Sequence, residues 1–358
     1  MNQYNLLKKM NEFYEWIVFL FIRMEEYLNN IIIEIEKRLN NLPSDMERIN
    51  ISYLNLTIFP IELSRFKHLK KLNCSNNYLT LLPPLNNYSS LEELDCSNNQ
   101  LTSLPPLNDS LIKLYCHYNQ LTSLPPLNTS LKVLYCFDNK LTLLPHLLNN
   151  SLKELICHCN QLTVLPPLND SLIKLYCHYN QLTSLPPLNT SLEILNCSNN
   201  KLISLPLFND SLIQVSCYNN YLTSLPHLNS SLKELRCYDN QLTSLPPLNS
   251  NMRVLTCSTN KLTYIPNLND DYLRLFEWDK TPIYDILNGN RANIVKWNRF
   301  REYYFLSKLK KKFLSWMWKA REGKIKEQFH YKHLLRFMEE SNNLEDVDLE
   351  PFLENFIK

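Results

Sequence analysis

Glycine is almost missing from this chain: among 358 residues there are two, and alanine occurs only at Ala292 and Ala320. Glycine-rich phosphate loops and dinucleotide-binding fingerprints need several glycines where backbone meets phosphate, so neither can be written here. Long apolar runs are missing too. The longest, residues 16–22, falls far short of the roughly 20 residues that cross a bilayer. Neither sign of charge is in excess: 37 Lys+Arg face 35 Asp+Glu, for a net charge of +2, and no global field draws the chain toward nucleic acid. There is no Gly-x-Ser-x-Gly elbow and no His-Glu-x-x-His pair, and carboxylates such as Glu93, Asp95 and Glu154 are scattered rather than paired across a cleft. We therefore expect no enzymatic activity, no cofactor and no small-molecule substrate.

What is present is a repeat. Cys74, Cys96, Cys116, Cys136, Cys157, Cys177, Cys197, Cys217, Cys237 and Cys257 are spaced by 22, 20, 20 and 21 residues and then by 20 throughout. Each sits in Leu-x-x-Leu-x-Cys-x-x-Asn-x-Leu-x-x-Leu-Pro. Leu-x-Cys alternates with period two, so Leu94 and Cys96 point inward while Glu93, Asp95 and Ser97 point out. Asn99, with both donor and acceptor, is expected to close the turn by bonding the backbone of its own and the next coil. Leu101 and Leu104 fill the coil, and Pro105 and Pro106 hold the return path extended, near polyproline II. Twenty residues leave no room for a full helix there. One unit cannot bury its leucines alone, so stability comes from stacking. Ten of the eleven cysteines share a core position and behave as small apolar side chains. Their parallel Cβ vectors disfavour bridging, and a reducing, intracellular compartment is expected.

In chain order, residues 4–40 carry helical periodicity and read as an N-terminal helical cap over 1–45. Residues 46–280 hold about eleven units. Ile49 and Ile51 open a degenerate first unit in which Leu54 replaces the asparagine. A remnant at 272–278 is read with Leu275 at the leucine position and Glu277 where cysteine belongs. Residues 281–358 change character. The stretch 291–336 holds 14 basic and 3 acidic residues with aromatics between them, and 339–358 holds 7 acidic and 1 basic. The first part reads as an amphipathic helix with Leu306, Leu309, Phe313 and Trp316 on one face. It serves either as a cap or as a contact for nucleic acid or an anionic membrane.

The repeat resembles the leucine-rich repeat family over residues 49–278, and its 20-residue length and Leu-Pro-Pro turn are most similar to the subclass of bacterial type III-secreted effectors. Some of those carry a ubiquitin-ligase domain with a catalytic cysteine. No cysteine follows Cys257 here, so that activity is not carried over, although delivery of targets to a host ligase stays open. The asparagine- and isoleucine-rich composition and the basic ending around Trp316 and Trp318 also resemble leucine-rich repeat proteins of giant DNA viruses of amoebae, which suggests a viral protein acting in host cytoplasm. The resemblance implies an α/β repeat solenoid: a curved array with a parallel concave sheet, an extended convex side and helical caps. It also implies binding of proteins on the concave face, with a monomer expected.

Outward strand positions locate the candidate site. Early units carry Asn73, Ser75, Asp95 and Ser97. The next four carry Tyr115, His117, Tyr118; Tyr135, Phe137, Asp138; Ile156, His158, Cys159; and Tyr176, His178, Tyr179. Exposed aromatics on adjacent strands suit a protein partner, although the same rings could stack simply to stabilise the sheet. Metal is not expected, because ladders hold side chains side by side and Phe137 interrupts the histidine row. Cys159 is the single cysteine out of register.

Overall fold

The computed structural model describes residues 33, 35–37, 39–146, 151–268 and 273–319. The chain divides into two compact units with the boundary between Arg291 and Ala292.

The first unit is a solenoid built on one twelve-stranded parallel sheet whose strands lie in sequence order. They are β1 (Arg48–Asn50), β2 (Lys71–Asn73), β3 (Glu93–Asp95), β4 (Lys113–Tyr115), β5 (Val133–Tyr135), β6 (Glu154–Ile156), β7 (Lys174–Tyr176), β8 (Ile194–Asn196), β9 (Gln214–Ser216), β10 (Glu234–Arg236), β11 (Val254–Thr256) and β12 (Leu275–Glu277). Pairing is in register throughout, with Leu94 beside Leu114 and Tyr115 beside Tyr135. Each strand is three residues long with one inward residue, such as Leu94 in β3, and the inward Cys96 follows directly after the strand. In that coil Leu91, Leu94, Cys96 and Leu101 are fully buried. All ten repeat cysteines are buried free thiols; Cys159 alone is partly exposed.

Buried asparagines close the turns. Asn99 Nδ2 donates to the Cys96 and Ser97 carbonyls of its own coil at 3.2 and 3.1 Å and to the Cys74 carbonyl at 3.0 Å, while its Oδ1 accepts from the Leu79 N–H at 2.9 Å. Its intercoil bonds therefore run to the preceding coil, not to the next. A strand that stops after three residues leaves the preceding coil's backbone groups without a ladder, and the asparagine completes them. Asn77 does the same for the degenerate first coil, accepting from Leu54 N–H and Leu56 N–H at 3.0 Å each. A second set of asparagines staples the return path. Asn108 Nδ2 donates to the Tyr88 and Leu91 carbonyls, and Asn189 Nδ2 to those of Asp170 and Leu172.

The return segments carry no α-helix among the described residues of the repeats. Two 3-10 turns, Ile61–Arg65 and Leu85–Asn87, depart from the purely extended expectation. They fall in the two long units, where Arg48 pairs with Lys71 and Lys71 with Glu93, offsets of 23 and 22 residues. The 20-residue unit from Glu93 to Lys113 has no surplus to wind.

At the far end the register differs from the sequence expectation. Leu255 pairs with Phe276 and Thr256 with Glu277. Phe276 therefore takes the leucine position and Trp278 the cysteine position, while Leu275 turns outward. Trp278 is 6% exposed and Leu275 41%. A slip of one residue exchanges the faces of a strand, and two aromatics bury more apolar surface than Leu275 and Glu277 could. Phe276 stacks on Trp278, Tyr284 meets Trp278 edge-on at 5.1 Å, and Arg291 lies over the Phe276 ring. Tyr284 belongs to α1 (Pro282–Ile286), which is capped by Thr281: its Oγ1 accepts from the Tyr284 N–H at 3.2 Å and donates to the Trp278 carbonyl at 2.7 Å. Gly289 follows at φ +68°, where a Cβ would meet the Tyr284 ring at 2.8 Å.

Within residues 1–45, expected to form an N-terminal helical cap, residues 33, 35–37, 39 and 40 are helical, with Ile35 and Leu39 buried, and Arg65 donates to the Asn40 and Leu42 carbonyls. Most of that expected cap lies outside the described residues. The second unit contains α2 (Asn293–Lys319), a single 27-residue helix. Leu309 on it is exposed, and Lys308 lies over the Tyr304 ring. The remaining basic residues to 336 and the acidic tail lie outside the described residues. No helix among the described residues is long and apolar enough to cross a membrane.

Candidate protein-interaction site

Four rows of side chains leave the sheet face, one from each outward register position. The first is charged over β2 to β7 except at Val133. Glu93 takes Lys71 at 2.9 Å and Lys113 at 3.7 Å, and Glu154 takes Lys174 at 2.8 Å. The second holds Tyr115, Tyr135, Ile156 and Tyr176 on β4 to β7, all partly buried. Tyr115 and Tyr135 meet edge-on at 5.1 Å, and Tyr135 Oη donates to Glu154 Oε2 at 3.0 Å. Burial and that bond push the Tyr135 phenol up to about 12, while the Lys174 ammonium bonded to Glu154 holds its carboxyl below the usual range.

The third row is a continuous stack. His117 lies on Phe137 at 4.3 Å, Phe137 on His158 at 4.4 Å, and His158 on His178 at 4.2 Å, all within 20° of parallel. Phe137 thus does not interrupt the imidazole row; it is one of its plates. Rings at equivalent positions in adjacent coils start about 4.8 Å apart, and a slight tilt brings them to stacking distance. Burial depresses all three imidazoles, His178 to about 4 with His158 adding to the effect, so they are neutral at pH 7. The row is bounded: before it Ser97 bonds Asp95, and after it Ser198 bonds Asn196, both serines being buried.

The fourth row has left-handed backbone. Asn98, Tyr118, Asp138, Cys159, Tyr179, Asn199, Asn219, Asp239 and Thr259 all have φ between 50° and 53°. Asparagine and aspartate tolerate this conformation and tyrosine, cysteine and threonine do so less readily. Tyr118 and Tyr179 stand there 50% and 55% exposed, set edge-on to His117 and His178. All ten residues of the sequence-derived patch therefore lie on one contiguous face. Two features were not singled out from sequence. Tyr218 stacks on Tyr238 at 4.3 Å as a second, smaller ring pair. Asp138 brings its carboxylate to His158 and Cys159, the three ligand atoms lying within 4.8 Å of one another. The 21-residue spacing of this unit places Asp138 beside Cys159, but only the observed turn shows that both side chains share a side.

A single-file parallel sheet, an intercoil asparagine ladder and leucine-filled coils define a leucine-rich-repeat solenoid. That fold is typical of protein–protein interaction scaffolds and is usually non-enzymatic. Residues 67–109 match the family described as Leucine Rich repeats (2 copies). YopM from Yersinia enterocolitica WA-314 is 32% identical with a TM-score of 0.52, the match covering 60% of this chain and 51% of that one, so the chain spans about half the length of that relative. The leucine-rich effector YopM from Yersinia pestis is 29% identical with a TM-score of 0.51, over 68% of this chain and 80% of that one. The leucine-rich repeat domain of APL1B, 23% identical with a TM-score of 0.58 over 66% of this chain and 76% of that one, shares the fold. No curated protein sequence matches the chain.

Proposed function

We propose that the protein is a non-enzymatic scaffold that holds a protein partner against the aromatic face of β4 to β7. The observation that carries this reading is the bounded four-ring stack His117–Phe137–His158–His178 with Tyr118 and Tyr179 exposed along its edge. Rings already ordered by stacking lose little freedom on binding, and aromatic bodies with polar tips are enriched at binding hot spots. Four strands span about 15 Å, which suits a loop or extended segment of the partner. Within this proposal the file of unpaired thiols suits a reducing compartment.

Sheet packing and binding can be separated experimentally, because asparagine occupies the Tyr118 and Tyr179 register position in other coils. A Tyr118→Asn/Tyr179→Asn variant should therefore fold as the parent does. In affinity purification from the native cell, the parent should retain a protein that the variant loses, with circular dichroism and melting temperature unchanged. Equal retention by the folded variant overturns the reading. Retention that collapses steeply with salt would assign the partner to the basic stretch 291–336 instead.

A further inference from the structure

We propose that Asp138, His158 and Cys159 form a binding site for a single zinc-class divalent metal ion on the edge of the solenoid. The three come from two adjacent coils. Phe137 stacks on His158, and Asp138 and Cys159 hold the same left-handed position in successive turns. That position does bring side chains of neighbouring coils together: three coils further on, Asn219 Nδ2 donates to Asn199 Oδ1 at 2.7 Å. Here the pair is a carboxylate and a thiol, with an imidazole beside them, and the three ligand atoms lie within 4.8 Å of one another.

The donor set points to the metal. Thiolate, imidazole and carboxylate together are the set used by zinc, and the soft sulfur disfavours magnesium and calcium, which take oxygen. A tetrahedral centre with bonds of about 2.0–2.3 Å holds its donors about 3.3–3.8 Å apart. The ligand atoms already lie within 4.8 Å of one another, so rotation of the Asp138 and Cys159 side chains toward His158 is the movement that binding asks for. Three protein ligands leave a fourth position for water. Binding releases the Cys159 proton to solvent, and the sulfur takes up the metal in its place. Cys159 is the single cysteine of eleven outside the core file, and it sits in backbone that cysteine seldom adopts. Its ten counterparts lie buried, so a metal has one thiol to meet on the folded protein.

The test uses the full chain, reduced and stripped of metal by chelator, titrated with Co²⁺ and then with Zn²⁺. The expected result is a thiolate-to-cobalt charge-transfer band with tetrahedral visible bands that saturate at one equivalent and are abolished by Zn²⁺. Cys159→Ser should remove the charge-transfer band, and Asp138→Asn should weaken Zn²⁺ binding at least about tenfold. His178→Phe, which keeps a ring in the stack, should leave the titration unchanged. Absence of a one-equivalent site in the parent, or persistence of the band in Cys159→Ser, overturns the proposal. Should a variant fail to fold, alkylation of Cys159 in the parent decides. Zn²⁺ should slow it at least about tenfold, in line with a coordinated thiolate, and an unchanged rate overturns the proposal. None of the ligands is altered in the Tyr118→Asn/Tyr179→Asn variant, so loss of the partner and loss of the metal are independent outcomes.

Discussion

Buried asparagines carry the polar side of this structure, one residue at a time. Asn180 donates to the carbonyls of Cys157, Cys177 and His178 and accepts from Leu162 N–H. Replacing it with leucine strands those backbone groups away from water, each at a cost of about 1–3 kcal/mol. Asn180→Leu should therefore lower unfolding free energy by at least about 3 kcal/mol, as read from denaturant melts. The left-handed row gives the opposite case. Thr259 holds φ 51° with a β-branched side chain, and Thr259→Asn should stabilise by about 1 kcal/mol. His117 predicts a pH effect. Burial lowers its folded-state pKa below the ordinary 6.5, so the unfolded chain binds the proton more readily. The contribution is present above pH 6.5 and is lost as pH falls from there through the lower folded value. His117→Phe keeps the stack and should flatten that part of the stability–pH profile. The inward residues and the turn asparagine were legible from spacing alone, because both repeat with the coil. The left-handed turn was not, since Tyr118, Asp138, Cys159 and Thr259 hide a conformation that Asn98 and Asn199 would have suggested.

Elements differ in how far their pattern could be read. Strands β2 to β11 repeat one motif, and their register follows from it. For β12 no second copy exists to align, and leucine identity pulled the reading one residue out of phase; buried ring area, carried by Phe276 and Trp278, decides instead. The return-path asparagines, such as Asn108, lie outside the leucine–cysteine alternation, in a segment whose pattern speaks only for its leucines and prolines. The turn after α1 gives a direct check on the C-terminal edge. Gly289 combines φ +68° with a Tyr284 ring that a Cβ would strike at 2.8 Å. Gly289→Ala should destabilise by on the order of 2 kcal/mol through backbone strain and contact together, measured as a fall in the denaturant midpoint.

The whole molecule depends on stacking, since each coil exposes its leucines unless a neighbour covers them. The aromatic face and the core file are two sides of the same strands: Tyr115 and His117 flank Cys116, and Tyr176 and His178 flank Cys177. If the file faces inward, the rings must face outward. Brief alkylation of the native, reduced, metal-free protein, read by mass spectrometry against a fully denatured control, tests this most directly. Burial pushes the core thiols up, Cys197 to about 12 and others further, while Cys159 is only partly covered. Label at Cys159 alone in the native protein, against label at all eleven positions after denaturation, is the predicted result. Native-state labelling across the file from Cys74 to Cys257 at a rate matching Cys159 would contradict it.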